Sequence, residues 1–429
     1  MKKRCVSMLL AMVLAIGLAG CGGSGGEKDT PKTEEAGEST DTANKGDKPY
    51  DGETVTIYTS YVDKEGWQPF VDLVKEKTGI TLEGIAAPTN YSDLVTKLSA
   101  TLTAGDDSFD IVHLDELLGV TYSTAGYLEP INEVLEPELE NYPQDVIERI
   151  SKNAVDGNYY MLPMELNSMY FYVNKNVFEK AGVEIPTTQE EFIEAAQAMT
   201  GDGVYGYGAS WSKGGQLFND VIRWMYGFDG DLYDWTKPES KEALQFMHDM
   251  LYKYKIVSEA ALGDTYDAMN QKIIDDKYGM VFQFGFLADV CGDKWGESIE
   301  IAPMPTFTTN KTVVCGWHMA INKNSKKTEA AKEVLKVWAS EEGQTCNLKL
   351  EGSSHSKVLA KPEAKEISRF GAALDEYLQA DTLVPRPMPP TVNEIMEVVE
   401  TYAQSYLTDQ ISLDECAEKA TKEIQALVE

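Results

Sequence analysis

From Thr54 onward, short apolar runs alternate with longer stretches in which apolar residues recur every three or four positions. Trp67, Phe70 and Val74 show the helical spacing in the first of these stretches. The predicted elements are a strand over 55–58, a helix over 67–79, a strand over 80–85, a helix over 91–102 and a strand over 110–114. This alternation predicts an α/β fold, with a parallel sheet covered by helices on both faces.

Ligands of open parallel sheets bind at the carboxyl ends of the strands. In this chain those ends are 59–63, after the first predicted strand, and 114–116, after the third. We therefore expect functional side chains in these two segments.

A second region with the same alternation follows. Strands are predicted over 159–164 and 169–173, and a helix over 328–339. Thr188 and Ser412 each precede a glutamate by three residues, which is the spacing of a capping box and predicts a helix start at each position.

The N-terminal segment has the pattern of a secretion signal. A basic start is followed by an apolar stretch over 6–19, which is too short to span a membrane in the ordinary way. The tetrapeptide Leu18-Ala19-Gly20-Cys21 resembles a bacterial lipobox. The resemblance implies that residues 1–20 are a signal peptide and that Cys21 carries a lipid anchor. The polar segment 21–51 is expected to be a disordered tether.

Charge narrows the range of partners. The chain has 70 acidic and 38 basic residues and a net charge of −32. Such a surface repels nucleic acids and anionic lipid headgroups, so neither is expected as a partner.

Cysteine and histidine residues give no metal or redox pattern. Four cysteines follow Cys21, at 291, 315, 346 and 416, and their spacing matches no zinc or redox motif. An oxidising exterior permits disulfides, but the sequence does not pair them. The four histidines are dispersed. We expect no cofactor and no metal.

Several segments together resemble the extracellular solute-binding proteins of ABC importers, of the carbohydrate-binding type that includes the maltose-binding proteins. The matching segments, in the family's order, are Phe109–Val112, Ala125–Ile131, Asp156–Pro163, Tyr172–Gly182, Lys277–Met280, Pro303–Pro305 and Ala320–Lys327. Each segment is a weak signal by itself, and their joint order carries the resemblance.

The resemblance implies two α/β lobes joined by a hinge, with the solute held in the cleft between them. One lobe is expected over 52–166 and 306–345, and the other over 167–305 and 346–429. The implied function is capture of a carbohydrate, most simply an oligosaccharide, and its delivery to the transmembrane subunits of an ABC permease. The protein is expected to be a monomer on the extracellular face of the cell membrane and to have no enzymatic activity.

The polar residues expected to contact the ligand follow predicted strands or lie at crossovers between the lobes. The family places a hydrogen-bonding carboxylate after the third strand, where Asp115 lies in this chain. Carboxylates accept hydrogen bonds from sugar hydroxyls, and arginine donates to them in a fixed geometry. The expected polar ligands are Asp63, Asp115, Glu116, Glu165, Asn167 and Arg386.

Aromatic side chains supply the flat faces that stack on sugar rings. Trp67, Trp224 and Trp338 lie on apolar helical stripes and are predicted to be core residues. Trp235 and Trp295 lie in polar loops and are predicted at the surface. The resemblance assigns a sugar contact to Trp317 and an aromatic stacking position to Phe286, and Trp211 ends a predicted strand. The expected aromatic ligands are Trp211, Phe286 and Trp317.

Three alternatives remain open at this point. The opening Tyr58–Tyr61 also resembles iron-binding members of the wider superfamily, so the solute could be ferric iron. A sugar-sensing receptor would have the same sequence features as an importer component. A secreted glycoside hydrolase would need a pair of carboxylates, which 70 acidic residues could supply.

Overall fold

Apolar strands alternate with helices along the part of the chain that the computed structural model describes, which is residues 48–88, 91–152 and 154–428. The strands are β1 Thr54–Thr59, β2 Thr81–Ala86, β3 Ile111–Asp115, β4 Leu128–Glu129, β5 Leu162–Pro163, β6 Asn167–Ser168, β7 Tyr170–Asn174, β8 Tyr205–Gly208, β9 Tyr278–Gln283, β10 Ile299–Ala302, β11 Thr312–Cys315, β12 Trp317–Asn322 and β13 Leu383–Pro385.

Helices connect these strands and form the C-terminal part of the chain. They are α1 Trp67–Thr78, α2 Tyr91–Thr103, α3 Glu116–Thr124, α4 Asn132–Leu135, α5 Gln144–Lys152, α6 Lys175–Ala181, α7 Gln189–Met199, α8 Gln216–Gly227, α9 Pro238–Tyr252, α10 Tyr266–Ile274, α11 Phe286–Val290, α12 Thr328–Ala339, α13 Glu341–Asn347, α14 Ser356–Leu359, α15 Ala364–Ile367, α16 Gly371–Gln379, α17 Val392–Leu407 and α18 Leu413–Val428.

The first sheet contains the strands predicted from the start of the pattern. Its order is β2-β1-β3-β12-β4, and β5 also pairs with β12. β1 is parallel to β2 and β3, whereas β12 runs antiparallel to β3. Helix α1 ends where Gly79 adopts a left-handed conformation with φ 82°, which an L side chain rarely adopts. The predicted α/β pattern of this region is confirmed.

The second sheet has the order β10-β7-β9-β8. Its core is rich in aromatic rings. The centroid of the Phe192 ring, on α7, lies within 6.5 Å of the centroids of rings on β8, β9 and α8. Trp224 is fully buried in this cluster. Trp67 and Trp338 are also buried, in the core around the first sheet, so all three core predictions are confirmed.

A third sheet of short strands lies where the chain passes between the two larger sheets. β11 pairs with β13 in parallel and with β6 antiparallel. β6 follows β5 of the first sheet directly and leads into β7 of the second, and β11 leads into β12. The chain therefore crosses between the two larger sheets at this third sheet.

Two expectations from the sequence are wrong in detail. The strand predicted over 159–164 is reduced to β5, because the Tyr159 carbonyl accepts from Ile131 N–H at 2.7 Å instead of joining a sheet. Trp235 is fully buried rather than exposed, with its indole N–H donating to the Leu232 carbonyl at 2.9 Å. Its loop packs on α18, where Thr421 accepts from the Trp235 backbone N–H. This contact between distant segments leaves no pattern in the local sequence.

Both predicted capping boxes begin helices. Thr188 accepts a hydrogen bond from Glu191 N–H at 3.2 Å, and Ser412 accepts one from Glu415 N–H at 3.2 Å. The four cysteines at 291, 315, 346 and 416 are unpaired thiols.

The predicted signal peptide, Cys21 and nearly all of the tether lie outside the described residues. Among the residues that are described, none of the helices has the length and apolar character needed to cross a membrane.

Glu165 lies in the crossover between β5 and β6 and is fully buried. One carboxylate oxygen accepts from the Asn167 amide at 3.3 Å. Burial first, and then the negative charge of Glu351, raise the pKa of Glu165 well above its ordinary value. The protonated form is therefore favoured in the folded protein.

We predict that Glu165→Gln stabilises the protein more at pH 8 than at pH 4.5. In the unfolded chain Glu165 ionises near its ordinary pKa, whereas in the folded protein it resists ionisation. The contribution of the Glu165 side chain to the free energy of unfolding is therefore lost as the pH rises through the folded pKa. Glutamine does not titrate. The difference in Tm between variant and parent should increase with pH. Glu65→Gln is the control, because Glu65 is exposed and Lys349 lowers its pKa, which is the direction opposite to that of Glu165. A pH-independent difference for Glu165→Gln contradicts the prediction.

Glu400 of α17 caps the start of α8. Its carboxylate accepts from the backbone N–H groups of Gly214 at 2.9 Å and Gly215 at 2.7 Å. These two glycines have φ of 105° and 98°, so the turn before α8 depends on residues without a Cβ atom. A buried carboxylate thus satisfies N–H groups that the helix itself leaves unbonded.

We predict that Glu400→Ala lowers the free energy of unfolding by about 1–3 kcal/mol, because it leaves the buried Gly215 N–H without an acceptor. Urea denaturation measures the change. Glu397→Ala is the matched control, since Glu397 lies on the same helix and is exposed. Equal effects of the two substitutions would show that the cap contributes nothing.

Candidate ligand-binding site

The carboxyl end of β3 meets the start of β12 at the edge of the first sheet. Asp115 and Trp317 are directly opposite each other in the register of these strands. Asp115 is also the N-cap of α3 and accepts a hydrogen bond from Leu118 N–H at 3.2 Å. Aspartate is a favoured N-cap residue, so the helix start positions this carboxylate at the sheet edge.

Arg386 joins this edge to the second sheet's helices. Its guanidinium donates to Asp115 Oδ2 at 2.9 Å and to Asn219 Oδ1 on α8 at 3.2 Å. The Arg386 backbone N–H donates to the Val314 carbonyl of β11 at 2.9 Å. Arg386 is 3% exposed. The arginine is therefore fixed at both its backbone and its side chain.

A second carboxylate lies beside this pair. Glu116 is fully buried, with its Oε1 3.5 Å from Arg149 Nε and its Oε2 4.0 Å from Arg386 Nη2. Two arginines therefore face two carboxylates, and the charges cancel locally. Tyr91 donates to Asp115 Oδ1 at 3.1 Å, and burial followed by the charge of Asp115 raises the pKa of Tyr91 well above its usual range.

Three rings are packed side by side next to Asp115. The ring centroids of Tyr61 and His113 are 4.3 Å apart, and those of His113 and Trp317 are 4.7 Å apart. Burial lowers the pKa of His113 to about 3, so the ring is neutral at physiological pH. Trp317 is only partly buried and is the ring of this group that solvent reaches most.

The helices of the second sheet contribute further rings and an amide. Asn219 donates to the Tyr266 hydroxyl at 3.2 Å. The ring of Tyr266 is edge-on to Phe284 at 6.1 Å and to Phe286 at 6.0 Å. Phe286 is partly buried. Asn219 is bonded to both Tyr266 and Arg386, so it connects the Tyr266 ring to the Arg386 side of the site.

The crossover residues lie at the third sheet. Asn167 pairs with Cys315 in the register of β6 and β11, and its side-chain oxygen accepts from Gly285 N–H at 2.9 Å. A Cβ atom on Gly285 would lie 2.6 Å from Phe370, so this approach requires glycine. Glu165 lies two residues earlier in the same crossover and accepts the hydrogen bond from the Asn167 amide.

Two of the expected residues differ from the others in their placement. Asp63 is exposed in the turn after β1, while its neighbour Lys64 makes ion pairs with Glu351 at 2.7 Å and Asp289 at 3.1 Å. Trp211 is fully buried, and its indole N–H donates to Asp220 at 2.7 Å, so neither ring face is exposed.

Sequence reasoning missed four residues of this neighbourhood, namely Lys64, Tyr91, Asn219 and Tyr266. One signal was available for Asn219. It forms, with Asp220, a polar pair between the apolar residues Phe218 and Val221 of α8, and both members of the pair are buried. Tyr91 showed only the apolar spacing of its helix, and Lys64 and Tyr266 gave no signal, because their partners are distant in the sequence.

In the part of the chain that the structure describes, no three His, Cys, Asp or Glu residues form a group that could hold a metal ion. The site instead combines hydrogen-bonding groups of both polarities with aromatic faces. Such a combination suits a ligand that presents hydroxyls and apolar C–H surfaces.

Known proteins resemble this chain over most of its length. A binding protein of Brucella abortus is 24% identical over 386 residues, which cover 82% of this chain and 88% of that protein. Among solved structures, maltose-bound MalE3 of T. maritima has a TM-score of 0.75 at 21% identity, covering 87% of this chain and 99% of that one. A solute-binding protein of Thermotoga lettingae with bound α-D-tagatose has a TM-score of 0.73 at 22% identity, covering 88% and 100%.

These structural matches confirm the predicted α/β fold of the two-lobed binding-protein type. The family model for bacterial extracellular solute-binding proteins matches residues 56–345, which is about two thirds of the chain. The match also confirms the expectation of a binding protein rather than an enzyme. The chain belongs to the bacterial extracellular solute-binding protein family.

Proposed function

We propose that the protein captures an extracellular carbohydrate at the site around Asp115, Arg386 and Trp317. The observation that carries the proposal is the placement of the partly exposed Trp317 ring directly opposite the Asp115 carboxylate. A sugar ring stacked on the indole would bring its hydroxyls to the carboxylate and the guanidinium. Phe286 and Tyr266 would cover the same ligand from the second sheet.

The local cancellation of charge supports an uncharged ligand. Asp115 and Glu116 are matched by Arg386 and Arg149, so the site offers neither a net negative nor a net positive charge to an ionic solute. Hydroxyl groups donate to carboxylates and accept from guanidinium groups, so they suit both members of each pair. The sugars named for the T. maritima and Thermotoga lettingae structures also support this ligand class.

The proposed cleft lies between a lobe over 52–166 and 306–345 and a lobe over 167–305 and 346–429. The third sheet would act as the hinge, since the chain crosses between the two larger sheets there. Closure around the solute would bury it between the lobes. Glu165 and Asn167 would line the hinge side of the cleft.

The captured sugar would be delivered to the transmembrane subunits of an ABC importer. A lipid on Cys21 would hold the protein on the extracellular face of the cell membrane, and the tether over 21–51 would let the folded part reach the permease. The lipobox-like tetrapeptide and the polar composition of the tether support this arrangement. A monomer would suffice, because one cleft binds one solute.

The first experiment is a thermal-shift screen of residues 49–429 against mono- and oligosaccharides, amino acids, polyamines and ferric iron. A ligand at a hundredfold excess over its Kd stabilises the protein by about 2.7 kcal/mol. We expect a shift with sugars alone. A shift only with iron or with amino acids would replace the carbohydrate proposal.

For a sugar found in this way, we predict that Trp317→Ala and Asp115→Asn each weaken binding tenfold or more, which is about 1.4 kcal/mol. The first removes the stacking face, and the second removes an anionic acceptor. Isothermal titration calorimetry measures the change in Kd. Trp317→Phe retains an apolar face and should lose less.

Asp107→Asn is the control for Asp115→Asn, because Asp107 lies in an exposed loop. Unchanged affinity in both Trp317→Ala and Asp115→Asn would move the proposed site elsewhere.

A further inference from the structure

A buried ion pair lies behind the proposed ligand site. Glu116 is the first residue of α3 and Arg149 lies on α5, and Glu116 Oε1 is 3.5 Å from Arg149 Nε. The two side chains are 0% and 3% exposed. Both residues belong to the proposed lobe that contains residues 52–166. The pair therefore does not depend on how the two proposed lobes lie relative to each other.

The pair adjoins the residues that form the site. Glu116 follows Asp115 in the chain, and its second carboxylate oxygen, Oε2, is 4.0 Å from Arg386 Nη2. A Cβ atom placed on Gly316, the residue before β12, would lie 3.6 Å from Arg149 Nη2. The two buried charges are therefore next to the sheet edge at which β3 ends and β12 begins.

Arg149 contributes charge rather than hydrogen bonds. Among the residues that the structure describes, none accepts a hydrogen bond from its Nε, Nη1 or Nη2 atoms, although all three are buried. The group that compensates this buried charge is the Glu116 carboxylate. The charge of Arg149 also acts on β12, because burial, and next this charge, lower the pKa of His318 well below its usual value.

With this pair in place, the positive and negative charges behind the site are equal in number. Asp115 is matched by Arg386 at 2.9 Å, and Glu116 is matched by Arg149. Without the charge of Arg149, two carboxylates would face one guanidinium, and the site would be negative. Without the charge of Glu116, the site would be positive. Because these groups are buried, water and salt would screen such an excess only weakly.

We propose that the Glu116–Arg149 pair determines specificity by making the site select uncharged sugars against amino sugars and sugar acids. This inference rests on the proposed carbohydrate function and names the residues that would exclude charged sugars from the same site. An ammonium group would find each carboxylate already matched by a guanidinium, and a carboxylate group would find each guanidinium already matched. Neither member of the pair has to touch the ligand.

The test compares sugars that differ mainly in charge. The uncharged probes are glucose, galactose and cellobiose, the cationic probes are glucosamine, galactosamine and the glucosamine disaccharide, and the anionic probes are glucuronate and galacturonate. Isothermal titration calorimetry on the full chain gives the Kd values at pH 6, where the amino sugars are ammonium ions. Burial raises the pKa of Asp220 on α8 to about 7, so this neighbour of Asn219 is mainly uncharged at pH 6.

We expect Arg149→Met to improve the affinity for the amino sugars tenfold or more relative to the uncharged sugars, which is about 1.4 kcal/mol. Glu116→Gln should do the same for the sugar acids. Arg149→Lys retains the charge and should retain the preference of the parent. Lys332→Met is the matched control, because it removes a lysine of α12 that pairs with Glu133 of α4 at 2.9 Å, and its preference should equal that of the parent.

The double variant Arg149→Met, Glu116→Gln separates the effect of charge from that of shape. It leaves neither charge buried without the other, so it should return the preference to that of the parent. Either single variant decides the question if the other fails to fold. Unchanged preferences in the single variants, or a gain that persists in the double variant, would show that the charges of the pair do not set the specificity.

These outcomes are separate from the carbohydrate proposal. If the parent binds uncharged sugars and the single variants gain nothing for charged sugars, only the role of the pair is overturned. If neither the parent nor any variant binds a sugar, the carbohydrate proposal is overturned, and this inference with it.

Discussion

The buried ion pair between Asp115 and Arg386 is the interaction on which the site depends. Both residues are removed from solvent, and a buried charge without its partner costs about 3–5 kcal/mol. Asp115 therefore needs Arg386 together with the hydrogen bonds from Tyr91 and Leu118. Because these groups come from α2, α3 and the segment after β13, satisfying one carboxylate determines how three parts of the chain meet.

The same requirement explains the contrast between the surface and the site. The chain has a net charge of −32, yet Asp115, Glu116, Arg149 and Arg386 balance one another inside it. Exposed carboxylates keep their water and need no partners, whereas buried ones must be paired. A strongly acidic protein can therefore offer a locally neutral, polar site. This is the kind of surrounding in which hydroxyl groups are recognised by hydrogen bonds rather than by charge.

The crossings of the chain at the third sheet place the aromatic rings. β12 follows β11 after a single residue, Gly316, whose added Cβ atom would lie 2.4 Å from the Glu165 carbonyl. This close approach lets Trp317 begin β12 opposite Asp115. On the other side, Gly285 brings its N–H to Asn167 and starts α11, which carries Phe286. Gly316 thus sets the start of the strand that carries Trp317, and Gly285 sets the start of the helix that carries Phe286.

The sequence by itself determined the elements whose signals are local. The spacing of Trp67, Phe70 and Val74, the cap at Thr188 and the helix over 328–339 depend on contacts within a few residues, and the structure confirms them. The ordered motifs also indicated the family, because each motif is a contiguous segment. The position of Asp115 at the carboxyl end of the third strand was also predictable, since it follows from the end of a local apolar run.

Only the tertiary structure decided which distant residues meet. The bonds from Arg386 to Asp115 and Asn219 join positions separated by 271 and 167 residues, and no periodicity encodes such pairs. The burial of Trp211 and Trp235, and the placement of Lys64 rather than Asp63 against Asp289, depend likewise on packing between remote segments. Local patterns reflect the geometry of a single helix or strand, whereas a site is made by the meeting of several, and its contacts are set by how their surfaces pack together.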